Sequence, residues 1–171
     1  HSVALTRGGS YDFLHCTFGN YWTFGNRQTP ALLLNNFIEA DGSIFTYDLN
    51  RAYFGNCIVY GNNQTEIGLQ ENVASNFNFE FDNCLLRINF DEDEPIDISD
   101  VTEFHEIIYN EDPNFIDPVE NIFELDTLSP AMNTGKLSIT NSFPSILSTD
   151  VVGNFRPFGS GVDIGAYERQ E

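Results

Sequence analysis

Lysine is almost missing from this chain: Lys136 is the only one among 171 residues, and Lys and Arg together number seven. Against them stand 26 Asp and Glu, for a formal charge of −19. A surface of that sign repels phosphate backbones and anionic headgroups, which excludes nucleic acid and charged bilayers as partners. It attracts cations instead, calcium among them. No apolar run approaches the roughly 18 residues of a membrane-crossing helix, and the opening stretch "HSVALTRGG" lacks the pattern of a signal peptide. Membrane insertion by this chain is therefore not expected. Cysteine is scarce and odd in number, at three, so no closed disulfide framework is expected. There is no CxxC pair and no histidine-rich tract to hold zinc, and neither GxSxG nor HExxH is present.

What the chain has in quantity is asparagine, 19 residues, with 16 Phe, 7 Tyr and 13 Gly. Few of these are good helix formers, and aromatic strands joined by Asn and Gly turns point to an all-β fold. The strands carry a repeat. "YDFLHCTFGN", "AYFGNCIVYGN" and "FEFDNCLLRIN" each place an aromatic three positions before a cysteine (Phe13/Cys16, Phe54/Cys57, Phe81/Cys84) and an apolar residue two positions after it (Phe18, Val59, Leu86). "LLLNNFIEADG" is a weaker copy, with Leu33, Asn36 and Ile38 in those places. Marks at 16, 36, 57 and 84 are 20, 21 and 27 residues apart. Repeats of that length, with polar turns between alternating stretches, read as a parallel β-solenoid of five to six coils. Cys16, Asn36, Cys57 and Cys84 then form one inward column, its cysteines serving as small buried hydrophobes or, less simply, as redox or metal groups.

Two stretches are candidates for binding. "NYWTFGNRQTP" follows the first repeat, and its Tyr21, Trp22 and Arg27 suit sugar rings and their hydroxyls, or else pack on the coil. "NFDEDEPIDISD" opens a stretch from Asp91 to Asp126 with 14 acids and no Lys or Arg. It is either a solvated loop or a calcium site using Asp91, Asp93, Asp97 or Asp100, without the glycine and terminal glutamate of an EF-hand. His105, between Glu103 and Glu106, reads as a surface histidine.

The chain's last third carries a resemblance. "DPNFIDPVENIFELDTLSPAMNTG" followed by "DVVGNFRPFGSGVDIGAYE" resembles the C-terminal end of right-handed parallel β-helix proteins of the pectin-lyase-like superfold, many of them bacterial and secreted or surface-bound. The matching residues are Asp112, Pro113, Phe115, Asp117, Phe123, Leu125, Ser129, Pro130, Ala131, Gly135, Asp150, Gly153, Arg156 and Asp163 to Glu168; Asn133 departs, standing where many relatives have an acid. The resemblance implies a right-handed single-stranded parallel β-helix over residues 1–126, with an acidic excursion at about 89–112. Residues 127–171 are then a C-terminal closing segment of the same domain.

In that reading "VDIGAYE" is the last strand of the stack. Gly165 permits a close backbone approach, and Arg156 pairs with Asp150 or Asp163 to pin the closing loop over the end. The resemblance also implies an extracellular or bacterial cell-surface location and further coils upstream. The superfold hosts lyases, hydrolases, esterases and binders alike, so fold does not name function. The clustered aspartates, GHG and RxK of polygalacturonases are absent. The expectation is a non-catalytic segment with polysaccharide as candidate ligand and calcium as candidate ion. The alternative is a fragment of a polysaccharide lyase or glycoside hydrolase whose catalytic coils lie upstream.

Overall fold

The computed structural model describes residues 1–25, 27–91 and 96–170. Its regular structure is mostly strand, and its three largest sheets are parallel throughout. It visits them in a fixed order. A first pass lays down β1 (Val3–Leu5), β2 (Gly9–Leu14) and β3 (Thr17–Asn20). A second adds β4 (Leu32–Asn35), an antiparallel hairpin of β5 (Phe37–Ala40) and β6 (Ser43–Thr46), then β7 (Leu49–Gly55) and β8 (Ile58–Gly61). A third supplies β9 (Ile67–Gln70), β10 (Phe77–Asp82) and β11 (Leu85–Leu86), and a fourth β12 (Phe104–His105) and β13 (Ile108–Tyr109). The first sheet is β1-β4-β9, the second β2-β7-β10-β12 and the third β3-β8-β11-β13. Strands β14 (Phe115–Asp117) and β15 (Ile122–Leu125) form a separate antiparallel hairpin, and α1 (Leu137–Thr140) and α2 (Pro144–Leu147) follow.

One aromatic position explains the register of the second sheet. Phe13, Phe54, Phe81 and Phe104 are Cα partners in neighbouring strands. Their rings stack at centroid separations of 5.0, 4.8 and 5.5 Å, nearly coplanar at 5°, 16° and 14°. This is cross-strand pairing at the natural strand spacing, with each ring filling the gap above the last. Leu32 and Leu34 from the first sheet, and Val59 and Leu86 from the third, meet these rings in one core. The third sheet is buried on its other face as well. Ile58 and Leu85 point the opposite way and pack with Phe115, Leu125, Ala131 and Ile164 in a second core. Strands apolar on successive positions, such as "CIVY" and "CLL", are what two buried faces require.

The corner between the second and third sheets is two residues long, and its first position makes the turn. His15, Asn56, Asn83 and Glu106 occupy it in successive passes, all left-handed, with φ of 51°, 51°, 56° and 54°. Asparagine tolerates that region better than most side chains, which gives its abundance a cause. The corner side chains also bond along the stack: Asn83 Nδ2 donates to Asn56 Oδ1 at 3.0 Å, and Asn56 Nδ2 to His15 Nε2 at 3.1 Å. Cys16, Cys57 and Cys84 come one residue later, unpaired, with Cys57 and Cys84 buried and Cys16 half-buried.

Four expectations are corrected here. Asn36 is not in the cysteine column. It follows β4 in the first sheet, where its amide donates to the Asn72, Ser75 and Asn76 carbonyls. The true period, read on the cysteine column and its continuation at Ile107, runs 41, 27 and 23 residues (16 to 57, 57 to 84, 84 to 107). The long first interval holds the 21–31 loop and the β5–β6 hairpin, so equal spacing was an accident of a local Asn-apolar pattern. Consequently the described sheets hold three, four and four strands, short of five to six passes. The acidic stretch does not simply leave the stack, because Phe104 brings β12 back beside β10. Finally, "VDIGAYE" is not a strand. Val162 makes one bridge to Gly135, and the rest is irregular.

Residues 127–170 lie along the outer face of the third sheet and its corner, rather than over the end of the stack. Gly165 N–H donates to Asn56 O at 2.8 Å and Ala166 N–H to Thr17 Oγ1 at 3.0 Å. Asn56 holds Lys136 through both backbone groups, at 2.8 and 3.1 Å, and Asn83 Nδ2 donates to Thr134 O at 3.0 Å. The polar corner ladder thus doubles as the docking strip for the closing segment.

His15 couples this docking to pH. It is buried, and its Nε2 lies 2.9 Å from Thr140 Oγ1 and 3.1 Å from Asn56 Nδ2. Desolvation first, and the Arg156 charge second, lower its pKa to about 3. A folded pKa below the unfolded 6.5 makes the contribution complete above pH 6.5 and lost as pH falls from there toward 3. We expect urea midpoints to fall across that window, by up to about 1.4 kcal/mol per pH unit from this group. His15→Gln should flatten that part of the profile; an unchanged slope in the variant would assign the acid sensitivity to other groups.

Candidate functional site

The loops that leave the third sheet at the C-terminal ends of its strands build a continuous trough. After β3 come Trp22 and Gly25, after β8 Asn62, Asn63 and Gln64, after β11 Arg87 to Asp91, and after β13 Asn110. Two adjoining depressions of about 620 and 660 Å³ share Gln64. Because the strands stack in register, their loops line up across successive passes, and a trough running along the stack is the result. Trp22 is 56% exposed and Phe90 45%, one in each depression. Between them runs a row of amides: Asn62 Nδ2 donates to Trp22 O at 3.1 Å, Asn89 Nδ2 to Gln64 Oε1 at 2.9 Å, and the Asn110 amide pairs with the Ile88 backbone at 2.8 and 2.9 Å.

The floor is held by an ion pair. The Glu66 side chain is 0% exposed and takes two contacts from the Arg27 guanidinium, one of them at 2.9 Å. It also accepts the N–H groups of Ala31 at 2.8 Å and Asn63 at 2.9 Å. Arg27 in turn donates to the Asn20 and Thr29 carbonyls. One buried carboxylate therefore ties the loop after β3 to the loop after β8. Of the residues expected to contact sugar, Trp22 and Arg27 share the trough, and Arg27 spends its guanidinium on Glu66. Tyr21 turns inward, edge-on to Phe115 at 6.0 Å. Burial, chiefly, and the Asp112 charge next, raise its hydroxyl pKa. Glu66 was invisible in the sequence, one acid among 26.

Of the four aspartates considered for calcium, Asp91 lines the trough. Asp93 lies outside the described residues. Asp97 and Asp100 are exposed, and each closes its own turn, accepting from Ser99 N–H at 2.9 Å and Thr102 N–H at 2.8 Å. Hydrogen bonds from Ser99 and Thr102 hold both carboxyls below the usual range. Among the described residues, Asp91, Asp97 and Asp100 do not converge into a three-donor group.

In the closing segment Arg156 is buried, and its carboxylate partner is Glu168, at 3.3 Å from Nε, rather than Asp150 or Asp163. Its Nη2 donates to Gly165 O at 2.8 Å. Asp150 accepts the N–H groups of Val152, Asn154 and Glu168, and Asp163 those of Asn133 and Arg169. Glu168 also accepts two backbone N–H groups, from Phe158 and Asp163, and takes the guanidinium besides. Gly165 has φ of 101°, and a Cβ there would meet Ile58 Cδ1 and Thr17 Oγ1 at 2.8 Å, so this close approach needs glycine. Asn133, the departure from the acidic pattern, accepts the Ser160 and Gly161 N–H groups at 3.0 and 2.9 Å.

Compared with models of known protein families, with curated proteins and with solved structures, the chain matches none.

Proposed function

We propose that the three parallel sheets are the faces of a right-handed parallel β-helix of the pectin-lyase-like kind. This chain would be a non-catalytic, carbohydrate-binding segment of a secreted or bacterial surface protein. The fixed order of visits to three sheets supports the architecture, and connections between parallel strands of one sheet are right-handed in nearly all proteins. Further coils would stack on the edge formed by β1, β2 and β3, where Phe13 is only half-buried while its partner Phe54 is fully buried.

The trough carries the binding reading. An exposed indole beside a row of side-chain amides offers a stacking face and paired donors and acceptors, the two things a sugar ring needs. Arg27 is engaged by Glu66, Arg87 by the hydroxyl and ring of Tyr60, Asp91 stands at the other end, and the chain is −19 in net charge, so a neutral glycan fits better than a polyuronate. Affinity electrophoresis against a panel of neutral glucans, mannans and xylans, with polygalacturonate as control, tests this. Trp22→Ala and Gln64→Ala should each weaken binding by about tenfold, the equivalent of roughly 1.4 kcal/mol from one lost contact. Unchanged affinity in Trp22→Ala would remove the trough from consideration. Release of reducing or unsaturated ends by the wild type would assign a lyase or hydrolase instead.

A further inference from the structure

A second polar site sits on the other side of the corner, at the end of the second sheet. Asp82 and His105 are register partners in β10 and β12, and Glu106 is the next corner residue. Their ligand atoms lie within 4.8 Å of one another, and none takes part in the trough. His105 Nδ1 is 3.0 Å from Asp82 Oδ1 and 3.8 Å from Glu106 Oε2. Donors bound tetrahedrally at about 2.1 Å are separated by about 3.4 Å, so these two spacings bracket the edge of a first-row metal's coordination shell.

A cation already sits against this triangle. Lys136 Nζ is 3.0 Å from Asp82 Oδ1, 3.1 Å from Glu106 Oε2 and 3.4 Å from His105 Nδ1. Nδ1 can donate a proton to Asp82 or accept one from the ammonium, but not both. A metal ion in place of the ammonium uses the Nδ1 lone pair and both carboxylates together. Two further features fit an ion. Tyr53 donates its hydroxyl to Asp82 Oδ2 at 2.9 Å, which orients the carboxylate and leaves Oδ1 for the ligand. The His105 and Glu106 side chains are 45% and 57% exposed, which supplies an entry path and lets water take the fourth position. The Lys136 side chain is 32% exposed on a flexible stem, so it can withdraw into solvent.

We infer that Asp82, His105 and Glu106 form a binding site for a divalent first-row transition ion of the Zn²⁺ type, with Lys136 as a built-in competing cation. One imidazole and two carboxylates suit Zn²⁺. Ca²⁺ and Mg²⁺ prefer six or more oxygens, and three donors do not supply them.

Competition of the full chain with a chromogenic chelator for Zn²⁺ tests this. One equivalent should bind with unchanged affinity in excess Ca²⁺. His105→Ala should weaken it more than about a hundredfold, a ligand loss exceeding the usual effect of an outer-shell change. Lys136→Met should tighten it about tenfold, because no ammonium has to leave. Lys136→Met keeps the backbone bonds to Asn56, and far-UV spectra check that both variants fold. X-ray absorption should show nitrogen and oxygen neighbours without sulfur. Wild-type affinity in His105→Ala, no gain in Lys136→Met, or a sulfur shell from the cysteines would each overturn the assignment.

Discussion

Glu66→Ala is expected to destabilise the protein by about 3–5 kcal/mol, the range for breaking a buried ion pair from one side. The side chain is 0% exposed and that of its partner Arg27 is 11% exposed. Removing the carboxylate leaves a nearly buried guanidinium without its countercharge and strips the Ala31 and Asn63 N–H groups of their acceptor. It also opens space beside Gly61, where Glu66 Oε1 now fills the place a Cβ would take. Urea unfolding of the variant measures the loss. The double variant Arg27→Met/Glu66→Leu should recover much of it, since an apolar pair of similar volume carries no stranded charge. The trough should suffer in the single variant even where the fold persists, because Asn63 and the loop bearing Trp22 lose their common anchor. A loss below about 1 kcal/mol would show that solvent reaches this pair as it reaches a surface one.

Arg156→Ala is expected to cost about 3–5 kcal/mol as well, for the same reason and at a different place. The Arg156 and Glu168 side chains are 3% and 0% exposed. Glu168 would keep the Phe158 and Asp163 N–H donors, at 2.7 and 3.0 Å, but lose its countercharge, and the Gly165 carbonyl would lose its donor. The segment that covers the third sheet should loosen as a unit, exposing Ile58 and Leu85 to solvent. Arg156→Lys should fall between wild type and alanine, since an ammonium cannot reach both Glu168 and Gly165 in the fork geometry. Hydrogen exchange at Gly165 and Ala166 would locate the loosening. Glycan binding in the trough should persist in both variants while they remain folded. Lost binding with intact thermal stability would make this end a functional site.

Much of the architecture was legible in the sequence because it is periodic. An aromatic three positions before each cysteine marks the second sheet, and the Phe13–Phe54–Phe81 stack is the physical form of that pattern. Asn56 and Asn83 before the cysteines mark the corner, because a left-handed residue is needed there in every pass. Trp22 was legible as an exposed aromatic in a polar, glycine-bearing loop. The weak fourth copy at Asn36 misled, since one Asn between apolar residues also describes a corner of the first sheet. Glu66, Asp82 and Lys136 were not legible as site residues at all.

The division follows from range. Strand formation, the asparagine-rich turns and the acidic field depend on residues within a few positions of each other, or on totals, and composition and spacing determined them alone. Which residues meet across passes depends on how much chain each pass consumes. Passes of 41, 27 and 23 residues differ by loops and a hairpin that no fixed period contains. Only once those are folded does Asp82 come to face His105 and Lys136, 23 and 54 residues away, or Arg27 find Glu66 at a distance of 39. Only then, too, does Arg156 meet Glu168, 12 residues away, rather than the aspartates nearer in sequence, because the fold sets which carboxylate reaches the buried guanidinium.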